Sequence, residues 1–464
     1  MTRPIGFTAC VVASALAFAV TPRADAPRLD APHIYAIRGA RLITASGASV
    51  PSGTIVLRNG LIEAVGADAS VPSDATVIDG AGLTVYPGLI DMGNGAGLDA
   101  APPAAPTNFR TLEDAERWKR SVILRPELEA AKVLRPDAPE LARLASAGVT
   151  TVLATPTAGL FKGQSALVNV TAPADEPQIG AVADPRKGLQ VVRTPVALHV
   201  SLALGPSGGR GGGAGYPVSL LGSIAFVRQS FLDAQHQQLE KQRYEKTKAG
   251  VTRPNYDPSL DAIQPALARA LPVAFEADLA REILRSLNMA KSFNLDPVIT
   301  GAREADQVVS DLKAQNARVI YNLDFPARPR TLAPDADEPV RDLRARAQAS
   351  KAPAALEKGG ILFAFSSGNI QQPRDFVRNA ARAVKDGLAA DAAVRALTIN
   401  AARIAGVGER LGSLEKGKIA NVIVTDGDLF EERTRVVHVF VDGRKVEPEA
   451  PAPAGGRGRG RGGN

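Results

Sequence analysis

One cysteine in 464 residues, Cys10, excludes an intramolecular disulfide framework. Histidine is almost as scarce, with only His33, His199, His236 and His438 in the chain. A metal centre built on imidazole, the usual donor for zinc and other transition metals, has little to draw on. A strong excess of one charge is missing too. The net charge is +7, three of it from Arg457, Arg459 and Arg461 near the C-terminus, and the remainder is spread along the chain. That pattern argues against nucleic acid as a partner. No stable membrane span is expected either, since the one long apolar run, residues 7–20, is short for a bilayer. Hydrophobic residues make up 45% of the chain. That is ample for a sizeable core and excludes global disorder.

The N-terminal 26 residues read as a secretory signal. Arg3 precedes the apolar run, and Ala17-Phe18-Ala19 and Ala24-Asp25-Ala26 offer small-residue cleavage sites. Pro27 disfavours the second. The expectation is an exported protein, periplasmic or extracellular. At the other end, residues 449–464 are Pro/Ala-rich and then Gly/Arg-rich, a composition that buries no core and reads as a disordered tail.

Residues 27–84 and 406–448 share a pattern of short β-prone runs and tight turns. Runs 35–42, 53–58, 61–65 and 77–79 read as strands, with Asn59-Gly60 as a hairpin turn. Runs 419–425 and 436–441 answer them, with Asp442-Gly443 as a second turn. Pairing of the two ends predicts one small β-sandwich, with His33 and His438 as structural residues inside it. Between them, residues 85–405 alternate apolar strands (149–154, 196–204, 273–276, 298–300, 319–321, 361–365) with amphipathic helices, including 111–119, 140–147, 219–246, 375–386 and 390–398. Alternation of that kind marks parallel βα units. The glycine run 205–215 lacks a P-loop ending and reads as a flexible loop at strand ends.

One stretch organises the chain: Thr84-Val85-Tyr86-Pro87-Gly88-Leu89-Ile90-Asp91-Met92-Gly93-Asn94-Gly95. It reads as a buried strand opening at its C-terminal end onto small, flexible residues, the end at which parallel βα folds place their chemistry. It resembles the first barrel strand of the amidohydrolase superfamily, whose pattern is Pro-Gly-Leu-Ile-Asp-x-His-x-His. Gly412 to Asn421, Gly-Ser-Leu-Glu-Lys-Gly-Lys-Ile-Ala-Asn, is similar to the family's Gly-Ser-Leu-Glu-x-Gly-Lys-x-Ala-Asp signature. The nearest resemblance is to imidazolonepropionase-like amidohydrolases. It implies an α/β fold, a distorted (β/α)8 TIM barrel with a small β-sandwich. It also implies zinc or another divalent metal that activates a water for hydrolysis of carbon–nitrogen bonds.

The resemblance also shows what is missing. Gly93 and Gly95 stand where the first-strand histidines belong. In Pro272-Val273-Ala274-Phe275-Glu276-Ala277-Asp278, Glu276 and Asp278 replace the fifth-strand histidines. Gly301 stands at the sixth-strand histidine and Gly368 at the eighth-strand aspartate that accepts the water's proton. Glycine coordinates nothing, so no cofactor is expected and the metal centre reads as lost. Asp91, Asn94, Glu276, Asp278, Arg303, Ser367 and Asn369 remain as the candidate pocket. Glu276 and Asp278 share a strand face; as hard oxygen donors they suit Ca²⁺ or Mg²⁺, or pair with Arg281 or Arg303. Ser366 and Ser367 lack a histidine base in sequence, and His199 and His236 read as structural. The implied role is a ligand-binding protein or a partner subunit of an active amidohydrolase or of a second copy. The competing expectation is a C–N hydrolase with an unfamiliar site.

Overall fold

The computed structural model describes residues 34–135, 138–170, 191–203, 216–333, 335–368 and 370–446. The segment expected to be a signal, His33, the glycine run 205–215, Asn369 and the tail lie outside the described residues. The first strands are β1 (Tyr35–Leu42), β2 (Val50–Arg58), β3 (Leu61–Gly66), β4 (Thr76–Asp79), β5 (Thr84–Pro87), β6 (Leu89–Asn94), β7 (Val149–Ala154), β8 (Phe161–Gln164) and β9 (Ala166–Asn169). They continue as β10 (Val191–Arg193), β11 (Leu198–Ser201), β12 (Val273–Ala277), β13 (Pro297–Gly301), β14 (Arg318–Asn322), β15 (Phe363–Ser366), β16 (Val422–Thr425), β17 (Val436–Val441) and β18 (Arg444–Val446).

Both ends of the chain meet in one eight-stranded sheet, ordered β18-β17-β16-β5-β1-β2-β3 with β4 beside β1. The expected small β-sandwich is built on one continuous hydrogen-bonded ladder, because β5 runs antiparallel to β16 and parallel to β1 and so joins the two ends. Ile37, Leu57, Val85, Val422 and Phe440 form its core. Its hairpins turn where two successive positive φ angles are needed, Asn59 (51°) with Gly60 (78°) and Asp442 (52°) with Gly443 (70°). β16 starts later than its apolar run suggests, since Ile419 N bonds to Arg410 O and Ala420 N to Gly60 O.

The parallel strands differ from the expected closed ring of eight. Among the described residues, β6 and β7 form one parallel group and β11 to β15 another, in separate sheets ordered β10-β9-β7-β6 and β15-β14-β13-β12-β11-β8. Two short strands interrupt the ring: β8 lies antiparallel to β11, and β9 antiparallel to β7. Only Ser165 separates them. It hands the chain from one sheet to the other, its N donating to Ala197 O (3.0 Å) and its carbonyl accepting from Val196 N (2.9 Å). These bonds also explain why the strand expected over 196–204 is confined to Leu198–Ser201.

Ile90, Met92 and Leu153 of one sheet and Ala274, Val298, Ile320 and Ala364 of the other share an apolar cluster between the sheets. Strand alternation then places Glu276, Thr300, Asn322 and Ser366 on that same inner face, one step nearer the C-terminal ends. Outward residues such as Phe275, Ile299 and Tyr321 pack in the larger core with the helices. The helix expected over 219–246 runs from Leu220 to Lys246, capped by Ser219 Oγ, which accepts from Gly222 N at 3.1 Å.

Candidate functional site

The C-terminal ends of β6, β12, β13, β14 and β15 form a mouth above the apolar cluster. At the opposite end, β6 is entered through Gly88, where a Cβ would collide with the Thr150 side chain. Asp91 is fully buried. Its Oδ1 accepts from Ser367 N (2.8 Å) and Gly93 N (3.2 Å), and its Oδ2 from Ser367 Oγ (2.5 Å) and Asn94 Nδ2 (3.1 Å). Burial pushes the Asp91 carboxyl up, and these four donors oppose the rise. Asn94 Nδ2 also reaches Ser367 Oγ (3.0 Å), and its Oδ1 accepts from Ala96 N (2.7 Å). With Gly368 N donating to Gly93 O (3.3 Å), this cluster stitches β6 to the end of β15 across a seam without a ladder. Asp91, Asn94 and Ser367 are therefore brought together as expected, but as a satisfied fastening.

The four glycines divide into two kinds. A Cβ at Gly95 would meet nothing nearer than Thr157 Cγ2 at 3.8 Å, and Gly95 borders a cavity of about 150 Å³ with Leu98, Pro102, Thr155 and Pro156. At Gly93 the Cβ would stand 3.2 Å from Ser366 Cβ. Gly301 (φ +90°) and Gly368 (φ +57°) have backbones that side chains resist. Their space is also filled: a Cβ at 301 would be 2.5 Å from Asp278 Oδ1, and one at 368 would fall on the Asn322 amide.

On the far side of the mouth, Glu276 pairs with Lys162 of β8. The Glu276 side chain is 56% exposed and that of Lys162 only 12%. Burial pushes the Lys162 ammonium down to about 8, while the adjoining carboxylate pulls the other way. Asp278 faces Arg303, with Nε to Oδ2 at 3.6 Å. The other candidate partner, Arg281, is exposed at the start of its helix. Burial raises the Asp278 carboxyl and Arg303 lowers it. Asp278 Oδ1 and Arg303 Nε are buried without a hydrogen-bond partner.

His199 lies on β11 with its neighbours Leu198 and Val200 in the outer core, so its own side chain turns inward. It is 4% exposed, its Nε2 has no partner, and burial followed by the nearby Lys162 charge pushes it down to about 3. His236 sits on the helix surface, 3.2 Å from Glu240 one turn on. His438 belongs to β17, opposite Val424.

These donors do not fit the divalent metal that the resemblance implies. Zinc requires converging imidazole, thiolate or carboxylate groups. Here glycine occupies four positions, Glu276 is held by an ammonium and Asp278 by a guanidinium. Among the described residues, no three His, Cys, Asp or Glu side chains cluster to hold an ion. Sequence reasoning missed Lys162 and Asn322. The one available signal was a lysine in an otherwise apolar β-prone run, Leu160-Phe161-Lys162-Gly163.

Comparison with known proteins agrees with this architecture. A sequence model of the Amidohydrolase family matches residues 306–446. The amidohydrolase tasK of Hapsidospora irregularis is 25% identical over 413 residues, spanning 84% of this chain and 39% of that protein. This chain thus covers about two fifths of that relative's length. An amidohydrolase from Thermotoga maritima MSB8 shares the fold with a TM-score of 0.70 at 22% identity, over 89% of this chain and 99% of that one. A putative prolidase from Bifidobacterium longum aligns with a TM-score of 0.53 at 16% identity, over 91% of this chain and 97% of the other. The chain is thus similar in fold to solved amidohydrolases and, over residues 306–446, in sequence to the Amidohydrolase family.

Proposed function

We propose that this is an exported, imidazolonepropionase-like member of the superfamily that has given up metal-dependent hydrolysis, a pseudoenzyme whose (β/α)8-type mouth binds a small molecule or seats a partner. The observation that carries the reading is the state of the ligand positions. Four are glycine, and at Gly301 and Gly368 neighbouring side chains occupy the room a ligand would need. The partner is an active amidohydrolase of the same family or a second copy, not nucleic acid. Among the described residues no helix is long and apolar enough to cross a membrane.

A second reading is a C–N hydrolase with a non-standard site. It draws support from the relatives named amidohydrolase and prolidase and from Asp278, a carboxyl raised by burial, as general-acid chemistry requires. Elemental analysis of the purified mature protein, with and without added Zn²⁺, Mn²⁺ and Ca²⁺, separates the two. Only trace metal and no thermal shift on addition are expected. Stoichiometric metal, or hydrolysis of small amides that is lost in Asp278→Ala, would overturn the first reading.

A further inference from the structure

Lys162, His199 and Glu276 come from three strands paired side by side, β8, β11 and β12. Lys162 is the amine of this group, and its nitrogen touches Glu276. The carboxylate is largely exposed, so the amine is approached from the mouth along that side. His199 supplies a buried nitrogen with no hydrogen-bond partner among the described residues, close enough to feel the Lys162 charge. A buried polar atom left unsatisfied costs free energy of its own, and such atoms are commonly retained where a ligand completes them. A lysine removed from water, with a carboxylate able to take and return a proton, is the arrangement that makes an amine nucleophilic.

We propose that Lys162 captures a small carbonyl compound, an aldehyde or keto acid, as an imine within this mouth. Lys162 gives a proton to Glu276, and its nitrogen lone pair adds to the carbonyl carbon. A second proton passes from the nitrogen to the carbonyl oxygen, which becomes a hydroxyl and leaves as water on receiving the first proton back from Glu276. One C=N bond forms, the C–O bonds break and one water departs, with no oxidant or reductant consumed. His199 Nε2 hydrogen-bonds the bound compound. Burial, which shifts Lys162 toward the neutral amine near pH 8, favours the first step. The inference stands apart from the loss of hydrolysis, so either fails without the other.

The test is reductive trapping on the whole mature protein with glyoxylate, and separately acetaldehyde, plus cyanoborohydride near neutral pH. Each lysine is read by peptide mass mapping. Lys162 is expected to label at least about tenfold faster than the exposed lysines, as one unit of pKa implies. In Glu276→Gln the Lys162 rate falls several-fold while the other lysines keep theirs. Lys162→Arg abolishes the fast adduct while keeping the cation, and its melting curve reports folding. Labelling of Lys162 no faster than that of surface lysines overturns the proposal, and an unchanged rate in Glu276→Gln overturns the proton shuttle.

Discussion

The two sides of the mouth treat burial in opposite ways. At the β6–β15 seam, both oxygens of the fully buried Asp91 are hydrogen-bonded, and Asn94 and Ser367 bond to it and to each other. Across from it, Asp278 and Arg303 form only a loose ion pair at 3.6 Å, and among the described residues Asp278 Oδ1, Arg303 Nε and His199 Nε2 are buried without a hydrogen-bond partner. An unsatisfied buried group costs about 1–3 kcal/mol. The seam spends its polar groups on holding two sheets together, and the far side keeps its own unspent. The contrast separates a satisfied fastening from a group of buried polar atoms left unsatisfied, although the sequence resemblance assigns both to one centre.

The comparison breaks most sharply at Asp91. Asp91→Ala removes the acceptor of four neutral donor contacts and is expected to cost about 3–5 kcal/mol, since each buried donor left unsatisfied costs about 1–3 kcal/mol. Urea unfolding reads it, and a loss under about 1 kcal/mol would mean that the seam does not depend on this residue. Next comes Gly368→Ala. It adds left-handed strain to a clash with Asn322, together about 2–3 kcal/mol, measured as a fall in the urea midpoint. The smallest effect belongs to the far side, where Asp278→Asn stays within about 1 kcal/mol at neutral pH. Because the folded Asp278 carboxyl is raised, its stabilising contribution is full below the ordinary carboxylate range and is lost as pH rises through the folded value. The variant therefore shows a flatter decline of stability from acid toward neutral pH. An equally steep decline would show that Asp278 is solvated.

Local chemistry made much of this readable from the residues. Asn59-Gly60 and Asp442-Gly443 announce their turns, Val149–Ala154 announces a buried strand, and the long helix stands out over 219–246. The crossing at Ser165 was not readable. Two four-residue strands on either side of one serine carry no period long enough to separate them from a single strand. The mouth was half readable. The glycines at 301 and 368 stand out against the resemblance, which implies a histidine and an aspartate there, but their positive φ and the side chains lying over them exist only in three dimensions. The partner of Glu276 stands 114 residues earlier in the chain, and pairing at that distance leaves no local trace.

The joining of both chain ends in one sheet has a consequence in time. Thr84 on β5 and Thr425 on β16, hydrogen-bonded in the finished sheet, are 341 residues apart. During synthesis β5 emerges early and must wait for the whole intervening stretch before its neighbour exists. Long-range pairing of this kind slows folding, and an unpaired strand edge invites the wrong neighbour meanwhile. A nascent chain stopped anywhere before residue 422 therefore carries an open edge on β5, so assembly of this sheet is a late event, timed by the ribosome.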